Sequence, residues 1–497
     1  MSDSMSDTKK IRIAICGGGI AGLSLAVFLS GSPTLEVQVY EAAGQFKEIG
    51  AGVVLWARTW RIMEEMGMAD QFAKFAHAPP SPKIGVGFDY RKSDQPEEGF
   101  RFQLVDMPCE YMISFSVIFY GCSTTLPLLK MGCVHCISLL EFTHAADQGI
   151  RFHRAEFLDV LVNNLPPRIA HFGKRLVSHR RSEPTKSSAN AAHRPLTLTF
   201  ADGSTATCDV LIGADGIKSS IRAQMYTEAA AERSEPALLR HIQPVWTGTT
   251  AYRALIGVNQ IPRAADGGLH RAVKDPIMYC GKSKHVVGYI ISRGDLVNVI
   301  ASKWEPPQET TPYNGEWVEA CDPQEVRDTF PGWEPEVGQL LRCITNVTRW
   351  AVHHLVPLPF YQKDGVVLIG DSAHAMAPNQ AAGAGQAIGD AYILAHLLRK
   401  ATWGNLSSSL AAYEAVRLPI ANDVLIESYH SGRMYEYDSE YGDDYQRLGP
   451  AIKKQWDWID NISLEEEVQA AYALVEKDGN GEQHDPKGNT RPILSKL

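Results

Sequence analysis

Several kinds of protein are excluded by what this chain has little of. It carries no excess of positive charge: 48 Lys and Arg stand against 57 Asp and Glu, a formal net charge of −9, which argues against nucleic acid as a partner. No internal repeat is visible. The opening Met-Ser-Asp-Ser-Met-Ser-Asp-Thr-Lys-Lys holds no apolar core of the kind a secretory signal needs. Nine cysteines are odd in number and scattered, as suits a reducing compartment. Cys133-Val134-His135-Cys136 has metal or redox spacing, but no second pair stands at ligand distance, so no metal site is expected. Long apolar runs are missing too. Tyr111 to Leu129 is uncharged, yet Ser114, Ser116, Ser123, Thr124, Thr125 and Pro127 interrupt it. A spanning helix wants about 20 predominantly apolar residues, so a membrane partner is not expected. What is left, 497 residues that are 44% hydrophobic, can bury more than one core.

The first informative stretch is Gly17-Gly18-Gly19-Ile20-Ala21-Gly22, with Glu41 nineteen residues beyond it. Ile11 to Cys16 reads as a buried strand, Ile20 to Ser30 as an apolar helix, and Val37 to Tyr40 as the next strand, with Glu41 at its end. Gly17 permits the tight turn, Gly19 lets backbone approach a pyrophosphate, and Gly22 lets helix pack on strand. The helix start offers free N–H groups to phosphates. Glu41 stands where a carboxylate accepts hydrogen bonds from an adenosine ribose. This motif alone does not choose FAD over NAD.

A second motif lies far downstream. Gly365 to Gly370 reads as a strand ending at Asp371, and a helix is expected from about Gly385 to Leu398. Between them runs Ser372-Ala373-His374-Ala375-Met376-Ala377-Pro378-Asn379-Gln380-Ala381-Ala382-Gly383-Ala384-Gly385. Asp371 can take a second ribose or ribityl hydroxyl. The small residues, Pro378, Gly383 and Ala384 among them, bring backbone N–H groups and a helix start against a planar ring, where a positive dipole end favours negative charge.

A third segment, Cys208-Asp209-Val210-Leu211-Ile212-Gly213-Ala214-Asp215-Gly216-Ile217-Lys218-Ser219-Ser220-Ile221-Arg222, resembles the "DG" motif of the group A flavoprotein aromatic hydroxylases. Gly370-Asp371 resembles that family's "GD" motif, and the three signatures stand in the family's order. Over roughly residues 9 to 430 the chain is similar to fungal salicylate-hydroxylase-like, FAD-dependent monooxygenases. The resemblance also implies backbone contact to FAD near Ala51, in Glu48-Ile49-Gly50-Ala51-Gly52-Val53, and a contact from Arg154, in Phe152-His153-Arg154. An arginine fork suits a pyrophosphate or a flavin carbonyl; a solvated helix-start arginine is the alternative. Asp215, in the "DG" motif, joins the implied cofactor set. The chain departs from the family at Asn379, Ala381 and Gly389, where a histidine, a glycine and a glutamate are common.

The motif order implies an α/β architecture. A Rossmann-type FAD-binding domain is assembled from residues near 9–80, 150–225 and 346–430. A sheet-rich substrate domain comes from 81–110 and 240–345, where Tyr252 to Ile256 and Val286 to Ser292 read as strands. Ser178 to Arg194 reads as a polar excursion, and 431–497 as a helical C-terminal extension with a flexible tail. Residues 111–149 are atypical. We read them as an inserted segment, of the kind translated intron sequence gives; a lid or a membrane anchor is the alternative.

The resemblance implies an activity. NAD(P)H reduces FAD, O2 adds to give a flavin C4a-hydroperoxide, and the distal oxygen passes to a phenolic or aromatic acid. Arg253, in Ala251-Tyr252-Arg253-Ala254-Leu255, would pair with a carboxylate or phenolate. Tyr289, in Val286-Val287-Gly288-Tyr289-Ile290, would hydrogen-bond the phenol. The alternatives are a surface ion pair for Arg253 and core packing for Tyr289. For the whole chain they are an oxidative decarboxylase of a hydroxybenzoate-type acid and an inactive flavin-binding protein. No Trp-x-Trp-x-Ile-Pro halogenase signature is present, since Trp56 and Trp60 stand apart.

The chain ends in Ser495-Lys496-Leu497, a tripeptide that peroxisomal receptors read. Such an ending arises by chance about once in several thousand chains at average residue usage. Peroxisomal placement is therefore expected, with the cytosol as the alternative. An N-terminally fluorescent chain should give punctate signal that turns diffuse when the last three residues are removed; diffuse signal from both forms would rule the address out.

Overall fold

The computed structural model describes residues 9–46, 52–76, 85–107, 149–182, 194–264, 266–459 and 463–479. Ala51, the segment 111–148 and the terminal tripeptide lie outside the described residues. Among the described residues, no helix is long and apolar enough to cross a membrane, and no cluster of His, Cys, Asp or Glu could hold a metal ion.

Ile11–Cys16 is a strand because four of its six positions can be buried as a continuous apolar run, the pattern of a sheet covered on both faces. It lies inside a six-stranded sheet in the order Gln362–Lys363, Val366–Leu368, Val210–Gly213, Ile11–Cys16, Leu35–Tyr40, Ala170–His171. All neighbours run parallel except the first pair. The helix Ile20–Leu29 returns over this sheet and packs on the helix Gly383–Lys400. The elements expected from the sequence are present, with ends moved by one or two residues. The second strand begins at Leu35, the downstream strand is only Val366–Leu368, and the downstream helix starts at Gly383.

The second layer is an eight-stranded sheet in the order Val318–Cys321, Val347–His354, Val245–Gly257, Leu296–Trp304, Lys284–Ile291, Ile277–Gly281, Gly85–Lys92, Phe100–Met107. The two expected strands there are longer than the sequence suggested: Val245–Gly257 and Lys284–Ile291. Val347–His354, grouped by sequence with the cofactor pieces, pairs with Val245–Gly257 in this sheet. Its alternating burial leaves the half-buried Thr348 and Trp350 on one face, which a reading by motif order does not see.

The polar excursion from Ser178 is corrected in part. Leu176–Arg181 is a strand paired antiparallel with Leu196–Phe200. Leu176 and His179 turn inward while Val177, Ser178 and Arg180 stay exposed, so the outward polar and charged groups hid the strand. Past residue 430 the chain is helical, as expected, in Tyr445–Lys454 and Leu464–Gly479, with Leu406–Tyr435 running into it. These helices are not a peripheral extension. Leu448, Ile452, Trp456 and Ile459 join the apolar cluster that contains Val54, Trp56 and Tyr289.

Candidate active site

Parallel strands Ile11–Cys16 and Val210–Gly213 end side by side, so the loops at their carboxyl ends meet. Gly17 has φ +116°, and a Cβ there would lie 2.0 Å from the Ala214 carbonyl oxygen. Only glycine fits. A Cβ on Gly22 would lie 2.0 Å from the Gly17 oxygen, so Gly22 shapes the turn from beneath, while Gly17 and Gly19 line a long cavity of about 860 Å³. Glu41 reaches the same end. Its carboxylate accepts the Gly18 N–H at 2.6 Å and the Ala43 N–H at 2.7 Å, which fixes it toward the cavity with lone pairs to spare for ribose hydroxyls. Glu41→Ala should weaken FAD binding by about 10- to 100-fold, the worth of hydrogen bonds to a charged group (about 1.5–3 kcal/mol). Titration of deflavinated protein with FAD checks this; unchanged affinity would remove Glu41 from the cofactor's contacts.

Arg154 and Asp371 line the same cavity. Arg154 opens the helix Arg154–Asn163. Burial lowers its pKa, and the opposing pull of Asp371 shows that the two side chains share one field. Asp371 begins a four-residue helix after Gly370, whose φ is +60°. Its position is set from behind by Asp390, which is fully buried. Asp390 accepts the Gly370 N–H at 2.9 Å and the Arg417 Nε–H at 2.9 Å, and its Oδ2 lies 2.5 Å from His374 Nε2. Arg417 also donates to Gln386 Oε1 at 2.6 Å and to Glu467 at 3.1 Å. Gly389 sits against it, with a Cβ there 3.4 Å from its Nη2. The departure at Gly389 thus leaves Arg417 to be met by Asp390 and by Glu467 from the C-terminal helix.

Asp215 lies on the cavity, but its carboxylate is engaged elsewhere. It accepts from Ser219 Oγ at 2.5 Å and the Ser220 N–H at 2.8 Å, at the start of the helix Ser220–Arg233. What Asp215 offers a ligand directly is backbone.

Pro378, Ala381, Gly383 and Ala384 also line the cavity, as do Arg253 and Trp350. The first N–H groups of the helix Gly383–Lys400 have no intrahelical acceptors. Arg253 lies with its guanidinium carbon 4.5 Å from the Trp350 ring centre. Its Nε is buried with no hydrogen-bond acceptor. Burial lowers its pKa; Tyr289 opposes and Arg154 reinforces that shift. A half-buried cation without a carboxylate partner among the described residues fits an anion brought by a ligand.

Tyr289 is buried and does not line the cavity itself. Its hydroxyl stands behind Gly52, 2.9 Å from where a Cβ on Gly52 would be. Burial raises its pKa, and Arg253 and Arg151 pull it back. The structure therefore brings Gly17, Gly19, Glu41, Arg154, Asp215, Arg253, Asp371, Pro378, Gly383 and Ala384 to one cavity, with Gly22 and Tyr289 one layer back.

Two groups escaped the sequence reading. Trp317 and Trp350 wall the cavity, with Trp317 stacked on His353 at 3.6 Å and Lys218 Nζ 3.9 Å over its other face. They meet only because Val318–Cys321 pairs with Val347–His354. The Asp390–His374–Arg417–Glu467 cluster draws on distant segments, and no local spacing marks it. The glycine cradle, the helix start and the cavity's volume fit FAD.

Residues 170–428 match the model of the FAD binding domain family. The chain is 33% identical over 478 residues to a salicylate hydroxylase of Pseudomonas putida, covering 95% of this chain and 96% of that one. It is 34% identical over 503 residues to the 6-methylsalicylate 1-monooxygenase of Aspergillus terreus, covering 98% of each. A solved salicylate hydroxylase in complex with substrate superposes with a TM-score of 0.74 at 29% identity, over 93% of this chain and 98% of that one.

Proposed function

Since the chain belongs to the FAD-dependent aromatic monooxygenases of salicylate-hydroxylase type, we propose that its substrate is an ortho-hydroxybenzoate, salicylate or a ring-methylated salicylate. FAD is its cofactor and an aromatic acid its substrate class. When bound, FAD would pass two electrons from NADPH or NADH to O2, one oxygen atom of which enters the ring while the other leaves as water.

The observation that carries the finer reading is Arg253: a half-buried guanidinium on the wall of the cavity, its buried Nε without an acceptor and with no carboxylate partner among the described residues. In this reading Arg253 binds the substrate carboxylate and orients the ring. The positive charge of Arg253 favours the phenolate, the form richest in electrons at the ring carbons, while Tyr289, one layer back behind Gly52, backs the wall of the cavity. The apolar cluster around Val54, Trp56 and Tyr289 keeps water from the reacting edge. The relatives' names favour hydroxylation of an aromatic acid over an inactive flavin-binding protein.

NADPH and NADH oxidation, O2 uptake and product formation are to be followed with a panel of phenolic acids. Salicylate or a methylsalicylate should accelerate NAD(P)H use and yield a hydroxylated ring, while benzoate, lacking the phenol, should not. Carbon dioxide release in the same assay separates plain hydroxylation from the decarboxylating outcome. Absence of hydroxylated product from every phenolic acid would overturn the assignment.

A further inference from the structure

We propose that the methyl group of Ala381 sets the size limit for the aromatic ring beside the flavin loop, a specificity element that rests on the reading of Arg253 and Tyr289 given above. Ala381 has φ 49° and ψ 32°, the left-handed conformation, which side-chain-bearing residues other than Asn and Asp rarely adopt. Glycine would satisfy this backbone without strain, so the methyl is kept against a local preference.

The surroundings stop the loop from relaxing. The Ala381 N–H donates to the Pro378 oxygen at 3.0 Å. One residue earlier, Trp56 Nε1 donates to the Gln380 oxygen at 3.2 Å, and the Gln380 amide donates to Ser431 Oγ at 3.0 Å. Asn379 Nδ2 donates to the Ser428 oxygen at 2.9 Å. The turn is thus tied both to the segment after Gly52 and to the helix Leu406–Tyr435.

The methyl also stands where a ring would be measured. Ala381 borders the cavity and packs against the apolar cluster of Val54, Trp56 and Tyr289, of which Val54 also lines the cavity. Two residues on, a Cβ at Gly383 would meet nothing nearer than Met376 Cγ at 4.0 Å. The loop is open at Gly383 and closed at Ala381. A substituent on the ring edge facing Ala381 meets a fixed carbon held by backbone, not a side chain that can turn aside.

The test is Ala381→Gly in the FAD-loaded enzyme, assayed with salicylate and with salicylates methylated in turn at each free ring position. For at least one position, the ratio of kcat/KM for the methylated over the plain acid should rise about tenfold, the low end of what one methyl is worth in a pocket. The melting temperature should hold level or rise, because strain is relieved. Ratios unchanged within a factor of two at every position would overturn the proposal. If the parent enzyme hydroxylates no salicylate, the substrate reading fails by itself, and the size limit is read from binding. Phenol and the three cresols, titrated against the visible absorption of bound FAD, should show the parent rejecting at least one cresol that Ala381→Gly accepts. Identical phenol-to-cresol ratios of Kd in both proteins would again overturn it.

Discussion

Arg253→Ala should lower kcat/KM for a hydroxybenzoate by about 30- to 1000-fold while the protein keeps its FAD. The size follows from removing a charge-assisted, desolvated contact, about 2–4 kcal/mol of transition-state binding. FAD should stay because the cradle at Gly17, Gly19 and Glu41 is built on the six-stranded sheet, whereas Arg253 stands on the eight-stranded one. Arg253→Lys should recover little: an ammonium reproduces neither the bidentate fork nor the guanidinium contact with the Trp350 ring. Coupling is the informative readout. With the ring poorly held, reduced flavin should still consume O2, so hydrogen peroxide per NAD(P)H should rise as product falls. If Arg253→Ala kept near-parental coupling and product, its place would be that of a packing partner for Trp350, and the carboxylate would have to be held elsewhere.

Much of the fold was legible because each cofactor motif is local. Gly17 to Glu41, Cys208 to Arg222 and Gly370 to Gly385 each carry strand, turn and helix start within one stretch. Their order therefore fixes a parallel sheet with the loops at one edge. What could not be read depends on pairing between distant strands. Trp350 faces the cavity because Val347–His354 joins the eight-stranded sheet, and nothing near Trp350 in the chain says so. Arg253 was visible as a charge on an apolar strand, but its want of a carboxylate was not. Asp215 read as a ligand contact because its motif is shared, whereas its carboxylate caps the helix Ser220–Arg233.

Asp390→Asn should be the most damaging single change outside the cavity. It would leave His374 and Gly370 without their carboxylate and Arg417 with Glu467 and Gln386 alone. Breaking a buried ion pair by removing one partner costs about 3–5 kcal/mol, a large part of the roughly 5–15 kcal/mol by which a native domain is stable. Low soluble yield, a depressed melting temperature and loss of bound FAD are expected together, because Gly370 precedes Asp371. A variant with parental melting behaviour would show the cluster to be dispensable.

The same carboxylate gives a pH dependence. Burial pushes the Asp390 pKa up, but His374 and Arg417 together outweigh that, and the pKa ends below its ordinary value. A depressed folded pKa means the contribution is fully present above the unfolded value, about 3.9, and is lost as pH falls through the lower folded one. Acid unfolding of the parent should therefore be steeper than that of Asp390→Asn over this range, and equal slopes would count against it.

The strand order of the parallel sheet has a consequence for how the protein comes to exist in a cell. Ile11–Cys16 is made first, yet one of its two neighbours is Val210–Gly213, and that strand's other neighbour is Val366–Leu368. Glu467, which meets Arg417 and Arg58, is made later still. On a ribosome the amino-terminal strand must therefore wait, its apolar faces uncovered, through most of translation. Non-local parallel pairing is slow to form and exposed to aggregation while it waits. Slowing elongation late in the message, or ending the chain before Leu464, should convert soluble enzyme into insoluble chain even though every residue that touches the cavity is present.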